Sequence, residues 1–336
     1  MERKFKRVVG LMMENQTFDR MLGFCPGVGK LDGTEFQLNH AGEKVYAHSG
    51  AHPVKDHSYD PPHGHDAITA QMWGDGGWPG PGVAPPGDHQ LRAHEGLEDD
   101  KAAKAFMGCF SPEKLPAMTT LARSFVTCDR WFCSVPGPTS PNRMFVHAAT
   151  SAGSTAGCYL REQGLTPPEA ITTTFENIDE CRPDLGWKVY GHDNLKTAQA
   201  FPYVRARPEQ NGSLRDFFDD CEAGTLPGYC WLVPELNWQS QHAGGGGAEH
   251  GLVPGDDLVA DVFEALRAQP QLWDETLFVI TYDECGGYWD SQPALAVPTV
   301  PLLTGEPSVG AEYGLEQRWP PNGNRHDIAG IWVAFF

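Results

Sequence analysis

The stretch from Leu277 to Gly287 constrains the fold most, because an apolar run passes directly into two adjacent carboxylates and a glycine pair. Branched and aromatic residues between turn signals are typical of a buried strand, and a strand covered on both faces belongs to a parallel sheet. In open α/β sheets, ligands lie beyond the carboxyl ends of the strands, where Asp283 and Glu284 are expected. Two buried carboxylates repel each other unless a cation lies between them. The stretch therefore predicts half of a metal site.

The run from Arg7 to Met13 is a second apolar segment, and it ends in Glu14 and Asn15. If the two predicted strands lie parallel in one sheet, both polar pairs reach the same edge. Carboxylate and amide oxygens suit Ca²⁺, Mg²⁺ or Mn²⁺, and Zn²⁺ also accepts carboxylates. The alternative is that Glu14 and Asn15 cap the turn before Thr17.

Strands and helices alternate along the second half of the chain, which predicts an α/β fold with a parallel sheet. Residues 256–269 form a predicted helix with an apolar face, capped by Gly255 or Asp256, and the helix leads into the strand at Leu277. At 336 residues, the chain is long enough for one large domain with insertions or for two smaller domains. Residues 24–110 are dense in Gly and Pro, so we expect loops there.

The formal net charge of −19 argues against nucleic acid as a partner, because phosphate backbones are bound by clustered Lys and Arg. The charge also works against an anionic substrate unless a metal or a helix terminus reverses the sign locally. No segment approaches the apolar length of a membrane span. The basic residues 1–7 are followed by too short an apolar run for a signal peptide. We therefore expect a cytoplasmic location, or export if a leader has been removed, and leave the oligomeric state open.

Thr139 and Ser140 stand directly before Pro141 and a helix-forming run. This order predicts a helix with a hydroxyl at its N-cap and Pro141 at its first position. The free N–H groups at the positive end of such a helix would bind a phosphate, and they would stabilise an alkoxide on Thr139 or Ser140. The alternative is a plain capping residue.

Histidines occur in two places where their role stays open. His57, His63 and His65 lie close together within the Gly/Pro-rich region, and His242 precedes four glycines at 244–247. The first group binds either a metal or phosphate, or it belongs to a solvated loop. The glycine run lacks the Lys-Ser/Thr that would complete a P-loop.

Three segments resemble motifs of the bacterial phosphoesterase family, which includes phosphatidylcholine-type phospholipases C and a group of acid phosphatases. Residues 13–23 resemble MENRSFDHMLG, residues 137–143 resemble GPTxPNR, and residues 281–287 resemble TYDEHGG. Residues 60–63 and 242–258 match family segments more loosely. Because the order is kept over nearly the whole chain, the sequence is identified as a member of this family.

The resemblance implies an alkaline-phosphatase-like fold, which is a three-layer α/β core with a mostly parallel central sheet. It implies a single domain over residues 1–336, with the loop-rich insertion at about 24–110. It also implies one or more divalent metal ions. The implied metal ligands are Glu14, Asn15, Asp283 and Glu284.

The resemblance further implies a metal-dependent phosphoric-ester hydrolase with Thr139 as its nucleophile and a covalent phosphothreonine intermediate. His63 and His242 are expected to contact the phosphoryl oxygens or protonate the leaving group, and Asn142 to help hold the phosphoryl group. The expected substrate is a phospholipid-like phosphodiester or a soluble phosphomonoester.

Two positions depart from the family pattern. Cys285 stands where the family usually has His, and the C-terminal DHTS segment is reduced to His326-Asp327-Ile328-Ala329. The alternative hypothesis is therefore a catalytically impaired protein that keeps the metal and phosphate sites.

Overall fold

The structure, a computed structural model, describes residues 5–55, 59–74, 91, 100–152, 154–155, 171–191, 198, 201–243, 251–292 and 332–334. Within these residues the chain forms one large sheet and a separate two-stranded hairpin. The strands are β1 (Arg7–Met13), β2 (Phe36–Leu38), β3 (Lys44–Tyr46), β4 (Val126–Cys128), β5 (Trp187–Gly191), β6 (Asn211–Gly212), β7 (Tyr229–Val233), β8 (Thr276–Tyr282) and β9 (Trp332–Ala334). The helices are α1 (Phe18–Leu22), α2 (His65–Trp73), α3 (Asp100–Phe106), α4 (Pro116–Ser124), α5 (Thr139–Ala148), α6 (Thr174–Cys181), α7 (Pro202–Arg205), α8 (Leu214–Ala223), α9 (Val253–Ala268) and α10 (Pro270–Glu275).

The large sheet has seven described strands in the order β4-β9-β8-β1-β7-β5-β6, and every neighbouring pair is parallel. This confirms the predicted α/β class and the parallel central sheet. Met13 of β1 pairs with Tyr282 of β8, so the two predicted strands end at the same level. Glu14 and Asp283, the residues that follow, therefore leave the sheet at one edge.

Helices cover both faces of this sheet. Val9, Leu11 and Met13 of β1 belong to a core that includes buried residues of α4, α8 and α9. Met12 belongs to a second core with α5, α6 and α7. Side chains alternate between the faces of a strand, so β1 is buried on both sides, and each large apolar side chain buried there contributes about 1.5–3 kcal/mol. The expected three-layer arrangement is confirmed.

Helix α9 begins three residues before the predicted helix. Asp256, one of the two predicted caps, lies inside α9 and bonds to the start of α4 instead. The Asp256 carboxylate accepts hydrogen bonds from the backbone N–H groups of Ala117 and Met118, both at 2.9 Å. Asp256 therefore satisfies free N–H groups at the start of α4. With 16 residues, α9 is the longest described helix, and no helix in the described part of the chain has the length and apolarity to cross a membrane.

The Gly/Pro-rich region contributes the β2–β3 hairpin and the helices α2 and α3. Ala47, Phe106 and Trp289 join a third, smaller core that ties this region to the loop after β8. The Tyr288 hydroxyl donates a hydrogen bond to the carbonyl of Tyr59. The densest Gly/Pro stretch, 75–90, lies outside the described residues. The described part of the region thus packs beside the loop that carries Glu284.

Candidate active site

The ends of β1 and β8 bring four oxygen-bearing side chains together. The backbone N–H of Asn15 donates to Asp283 Oδ1 at 3.2 Å, and the backbone N–H of Asp283 donates to the carbonyl of Met13, also at 3.2 Å. Glu14, Asn15, Asp283 and Glu284 are each 0% exposed. The polar pairs from opposite ends of the chain therefore share one buried space.

Two oxygens in this group, Asn15 Oδ1 and Glu284 Oε1, have no hydrogen-bond partner among the described residues. Glu284 Oε2 accepts a hydrogen bond from the backbone N–H of Gly286 at 2.6 Å. A buried acceptor without a partner is costly, and hard cations bind oxygens of this kind. The donor set therefore fits Ca²⁺, Mg²⁺ or Mn²⁺, while its carboxylates also suit Zn²⁺.

Arg143 lies between two of these carboxylates and was not among the predicted site residues. Its Nε donates to Asp283 Oδ2 at 3.0 Å and its Nη2 to Glu14 Oε1 at 2.6 Å, and the side chain is 1% exposed. Arg143 is four residues after Thr139, so the two side chains share a face of α5. The four-residue spacing was the sequence signal that could have placed Arg143 beside Thr139. It does not reveal the carboxylates that Arg143 bonds, which are more than a hundred residues away.

Helix α5 begins at Thr139, with Pro138 at its N-cap. The prediction of a hydroxyl at the N-cap and Pro141 at the first helical position was wrong by two residues. The Thr139 hydroxyl does not cap the helix and instead donates a hydrogen bond to Glu14 Oε2 at 3.2 Å. Thr139 and Arg143 thus each hold one oxygen of Glu14, and Thr139 stands at the positive end of a ten-residue helix.

Asn142 uses its amide inside the loop that leads into α5. Its Oδ1 accepts from the Val135 N–H at 2.8 Å. Its Nδ2 lies 3.0, 3.2 and 3.1 Å from the carbonyl oxygens of Val135, Gly137 and Pro138. The side chain is 3% exposed. The amide therefore braces the loop that presents Thr139.

His63 and His242 lie beside the four oxygen-bearing residues. His63 Nε2 is 3.2 Å from Asn15 Nδ2 and 3.8 Å from Glu284 Oε1, and the two imidazole rings are 6.0 Å apart. Each ring donates its Nδ1 hydrogen to a backbone carbonyl, His63 to Pro61 at 2.7 Å and His242 to Ala243 at 2.6 Å. A carbonyl only accepts, so the hydrogen is on Nδ1 in both rings, and His63 Nε2 accepts a hydrogen bond from the Asn15 amide.

The remaining histidines of the Gly/Pro-rich region separate from this pair. His65 donates its Nδ1 hydrogen to the carbonyl of Pro136 at 2.7 Å, which ties α2 to the loop before α5. His57 lies outside the described residues. Asp60, an exposed residue that we had not predicted, joins His63 and His242 in a group whose ligand atoms lie within 4.8 Å of one another. This group is a second place where a cation could bind.

The electrostatics of the site favour a bound cation. Burial, and next the charge of Asp283, raise the pKa of Glu14 to about 8, although Arg143 opposes the shift. Burial and Asp283 also raise the pKa of Glu284 well above its usual range. Burial disfavours the Arg143 charge, but Glu14 and Asp283 outweigh it and raise its pKa. The site contains three buried carboxylates and one guanidinium, which pairs with Glu14 and Asp283, so an added divalent cation would restore the balance of charge.

One of the two departures from the family pattern, Cys285, directly follows Glu284 of the site. Burial and the adjacent Glu284 raise the pKa of the Cys285 thiol well above its usual range, so this side chain is a neutral thiol at physiological pH. It cannot carry the charge that a histidine would bring to this position. The reduced segment at 326–329 lies outside the described residues.

The profile of the Phosphoesterase family matches residues 5–321 of the chain. A protein of Arabidopsis thaliana, non-specific phospholipase C5, is 32% identical over 324 residues, which cover 92% of this chain and 61% of that protein. Non-specific phospholipase C4 of the same plant is 31% identical over 329 residues, covering 92% and 59%. Phospholipase C A of Mycobacterium tuberculosis is 29% identical over 242 residues, covering 62% and 44%. The chain spans about three fifths of the length of these plant relatives.

Proposed function

The chain belongs to the phosphoesterase family, and from that premise we propose that it hydrolyses a phosphoric ester at the carboxyl ends of β1 and β8. One observation carries the proposal. The Thr139 hydroxyl lies 3.2 Å from a carboxylate of a buried, oxygen-rich site that retains unpartnered ligand atoms. A nucleophile, a cation site and the start of a helix are thus brought together.

Glu14, Asn15, Asp283 and Glu284 would hold a divalent cation, with Ca²⁺, Mg²⁺, Mn²⁺ and Zn²⁺ as the candidates. When bound, the cation supplies positive charge beside the phosphoryl group and the nucleophile. Arg143 holds Glu14 and Asp283 in place through hydrogen bonds to one oxygen of each. A cation and Arg143 at the site would allow an anionic substrate to bind despite the net charge of −19, because the positive charge is local to the site.

Thr139 is the proposed nucleophile. Its Oγ attacks phosphorus as the hydroxyl proton passes to Glu14 Oε2, and the bond from phosphorus to the leaving alcohol breaks as that alcohol takes up a proton. The product of this step is a phosphothreonine, which still carries the second ester group when the substrate is a phosphodiester. Free N–H groups at the start of α5 face the added negative charge. Asn142, expected at the phosphoryl group, is proposed to act by bracing the loop that carries Thr139.

His63 and His242 are proposed to contact the phosphoryl oxygens or protonate the leaving alcohol through Nε2, because Nδ1 of each ring is held by a carbonyl. Water then attacks phosphorus from the side that the alcohol has left. The Thr139 hydroxyl is restored with a proton from the water, and the product released is phosphate when the substrate is a phosphomonoester and a phosphomonoester when it is a phosphodiester. Positioning and charge neutralisation supply most of the rate in phosphoryl transfer.

We propose a phospholipid-like phosphodiester as the substrate class, because the similar plant and mycobacterial proteins are phospholipases C by name. A soluble phosphomonoester is the second candidate. Hydrolysis of p-nitrophenylphosphorylcholine compared with p-nitrophenyl phosphate separates the two classes.

Elemental analysis of the same purified protein identifies the metal and completes this test. We expect at least one divalent ion per chain and turnover of one of the two esters. Normal metal content without release from either ester would support the alternative hypothesis of a metal- and phosphate-binding protein. The presence of Cys285 at the family's histidine position is the observation that favours that alternative.

A further inference from the structure

Gln241, the residue before His242, has a backbone conformation that L-residues rarely adopt. Its φ is 67°, which makes it one of four described non-glycine residues with positive φ, together with Asn15, Ala149 and Ala152. The side chain is 2% exposed. A left-handed conformation at a buried, bulky residue persists only where the surroundings enforce it, and such positions cluster at functional sites.

Three elements enforce this conformation. The carbonyl of Gln241 accepts from Gln16 Nε2 at 2.8 Å, and its Oε1 accepts from the Tyr282 hydroxyl. Gly255 of α9 approaches the side chain so closely that a Cβ there would lie 2.3 Å from Gln241 Cγ. The preceding carbonyl, of Ser240, accepts from the backbone N–H of Glu14 at 2.9 Å.

Two of the three elements that hold Gln241, the ends of β1 and β8, also carry the site. Glu14 and Gln16 follow β1, and Tyr282 is the last residue of β8, directly before Asp283. His242 itself is held by its backbone N–H, which donates to Ser240 Oγ at 3.1 Å. After Ala243 the sequence continues with four glycines, which have no side chains to anchor. Within the described residues, Gln241 is therefore a large buried side chain that fixes the chain directly next to His242.

We propose that Gln241 is a positioning residue that couples the imidazole of His242 to the ends of β1 and β8. Its left-handed backbone turns the chain so that His242 lies 6.0 Å from His63, ring centre to ring centre. The Tyr282 hydroxyl and Gly255 hold that turn through the amide side chain. This inference rests on the proposed function, because the task of His242 is taken from it.

Gln241→Gly and Gln241→Asn test the proposal. Glycine accepts the left-handed conformation but removes the side chain that Tyr282 and Gly255 hold. Asparagine tolerates the same conformation and keeps a shorter amide. Ala149→Gly is the matched control, since Ala149 has a φ of 55° at the exposed end of α5.

We expect Gln241→Gly to lower kcat for the better of the two p-nitrophenyl esters by about 10–100-fold, with little change in KM, when assayed well below the melting transition. Gln241→Asn should recover part of that loss, and Ala149→Gly should match the wild type. The second readout is the rate at which diethylpyrocarbonate modifies His242, followed by mass spectrometry with His65 as the internal reference. That rate should rise in Gln241→Gly relative to His65, because the ring is less firmly held.

A wild-type kcat in Gln241→Gly would overturn the proposal. So would a loss of activity with an unchanged modification rate at His242, since Gln241 would then act through another group. If the wild type itself turns over neither ester, the proposed function fails. The modification rates still decide in that case whether Gln241 positions His242.

Discussion

Gly286 approaches Asn15 so closely that a Cβ atom at residue 286 would lie 2.3 Å from the Asn15 carbonyl oxygen. Both residues have positive φ, 64° at Gly286 and 55° at Asn15. The loops after β1 and β8 therefore interlock through their backbones, and no larger residue fits at position 286. The proposed cation site depends on this contact, because it sets the distance between Asn15 and Glu284.

Gly286→Ala is expected to lower the free energy of unfolding by more than about 1–3 kcal/mol, the usual range for backbone strain alone, because a steric clash adds to it. It should also weaken binding of divalent cations. Gly224→Ala is the matched control, since Gly224 has a φ of 68° and nothing within 4 Å of its would-be Cβ. Urea denaturation and titration calorimetry measure the two effects. Equal losses in both variants would contradict the steric argument.

Thr139→Val is expected to reduce kcat by at least about 10³-fold, because the proposed nucleophile is removed without a change in side-chain volume. The melting temperature should change little. Ser140→Ala, one residue along the same helix, should retain activity. Near-normal turnover by Thr139→Val would move the nucleophile to another residue.

Glu284→Gln is expected to weaken cation binding by at least about tenfold, because it removes a charge from the buried ligand set. Chelation of the wild type should abolish turnover, and adding back Ca²⁺, Mg²⁺, Mn²⁺ or Zn²⁺ should restore it for the native metal. Glu264→Gln, an exposed carboxylate paired with Arg267, is the control for a simple loss of charge. Full activity of a verified metal-free protein would refute the metal dependence.

Arg143→Met is expected to cost about 3–5 kcal/mol of stability, because it leaves Glu14 and Asp283 buried without their shared partner. Arg215→Met removes an exposed pair with Asp219 and should cost below about 0.5 kcal/mol. Chemical denaturation of both variants gives the comparison. Similar losses would mean that the buried pairing contributes no more than a surface ion pair.

Asp256→Asn is expected to change the pH dependence of stability. Burial, partly opposed by the hydrogen bonds from Met118 and Ala117, raises the pKa of Asp256 from 3.8 to about 6. The folded protein therefore binds more protons than the unfolded chain between these values, and this group's contribution to the free energy of unfolding falls as pH rises through that window. This decrease in the free energy of unfolding should reach about 3 kcal/mol in the wild type and should be absent in Asp256→Asn. Urea denaturation at pH 4 and pH 7 measures it, and parallel profiles for the two proteins would argue against the shift.

The strands were predictable because their signals are local. The predicted runs at 277–282 and Arg7–Met13 match β8 and β1, since short apolar segments that end in polar residues and glycine carry their own boundaries. The start of α5 was misplaced by two residues. Proline is tolerated at several positions in the first turn of a helix, so Pro141 does not determine at which residue α5 begins.

Arg143 and Gln241 show what local signals leave out. Arg143 bonds to carboxylates 129 and 140 residues away. Gln241 is held by residues 225 and 41 positions away. Neither partner can be read from spacing, because the side chains meet only after the strand ends have been placed side by side.

The sequence alone determined that apolar strands end in carboxylate and amide side chains and that a hydroxyl stands near a helix start, because these features depend on neighbouring residues. Only the tertiary structure decided that Thr139, Glu14 and Arg143 meet, and that a strained Gln241 stands beside His242. The physical reason is that parallel pairing of β1 with β8 fixes which ends coincide. Burial then selects the partners that leave the fewest charges and hydrogen-bonding groups unsatisfied.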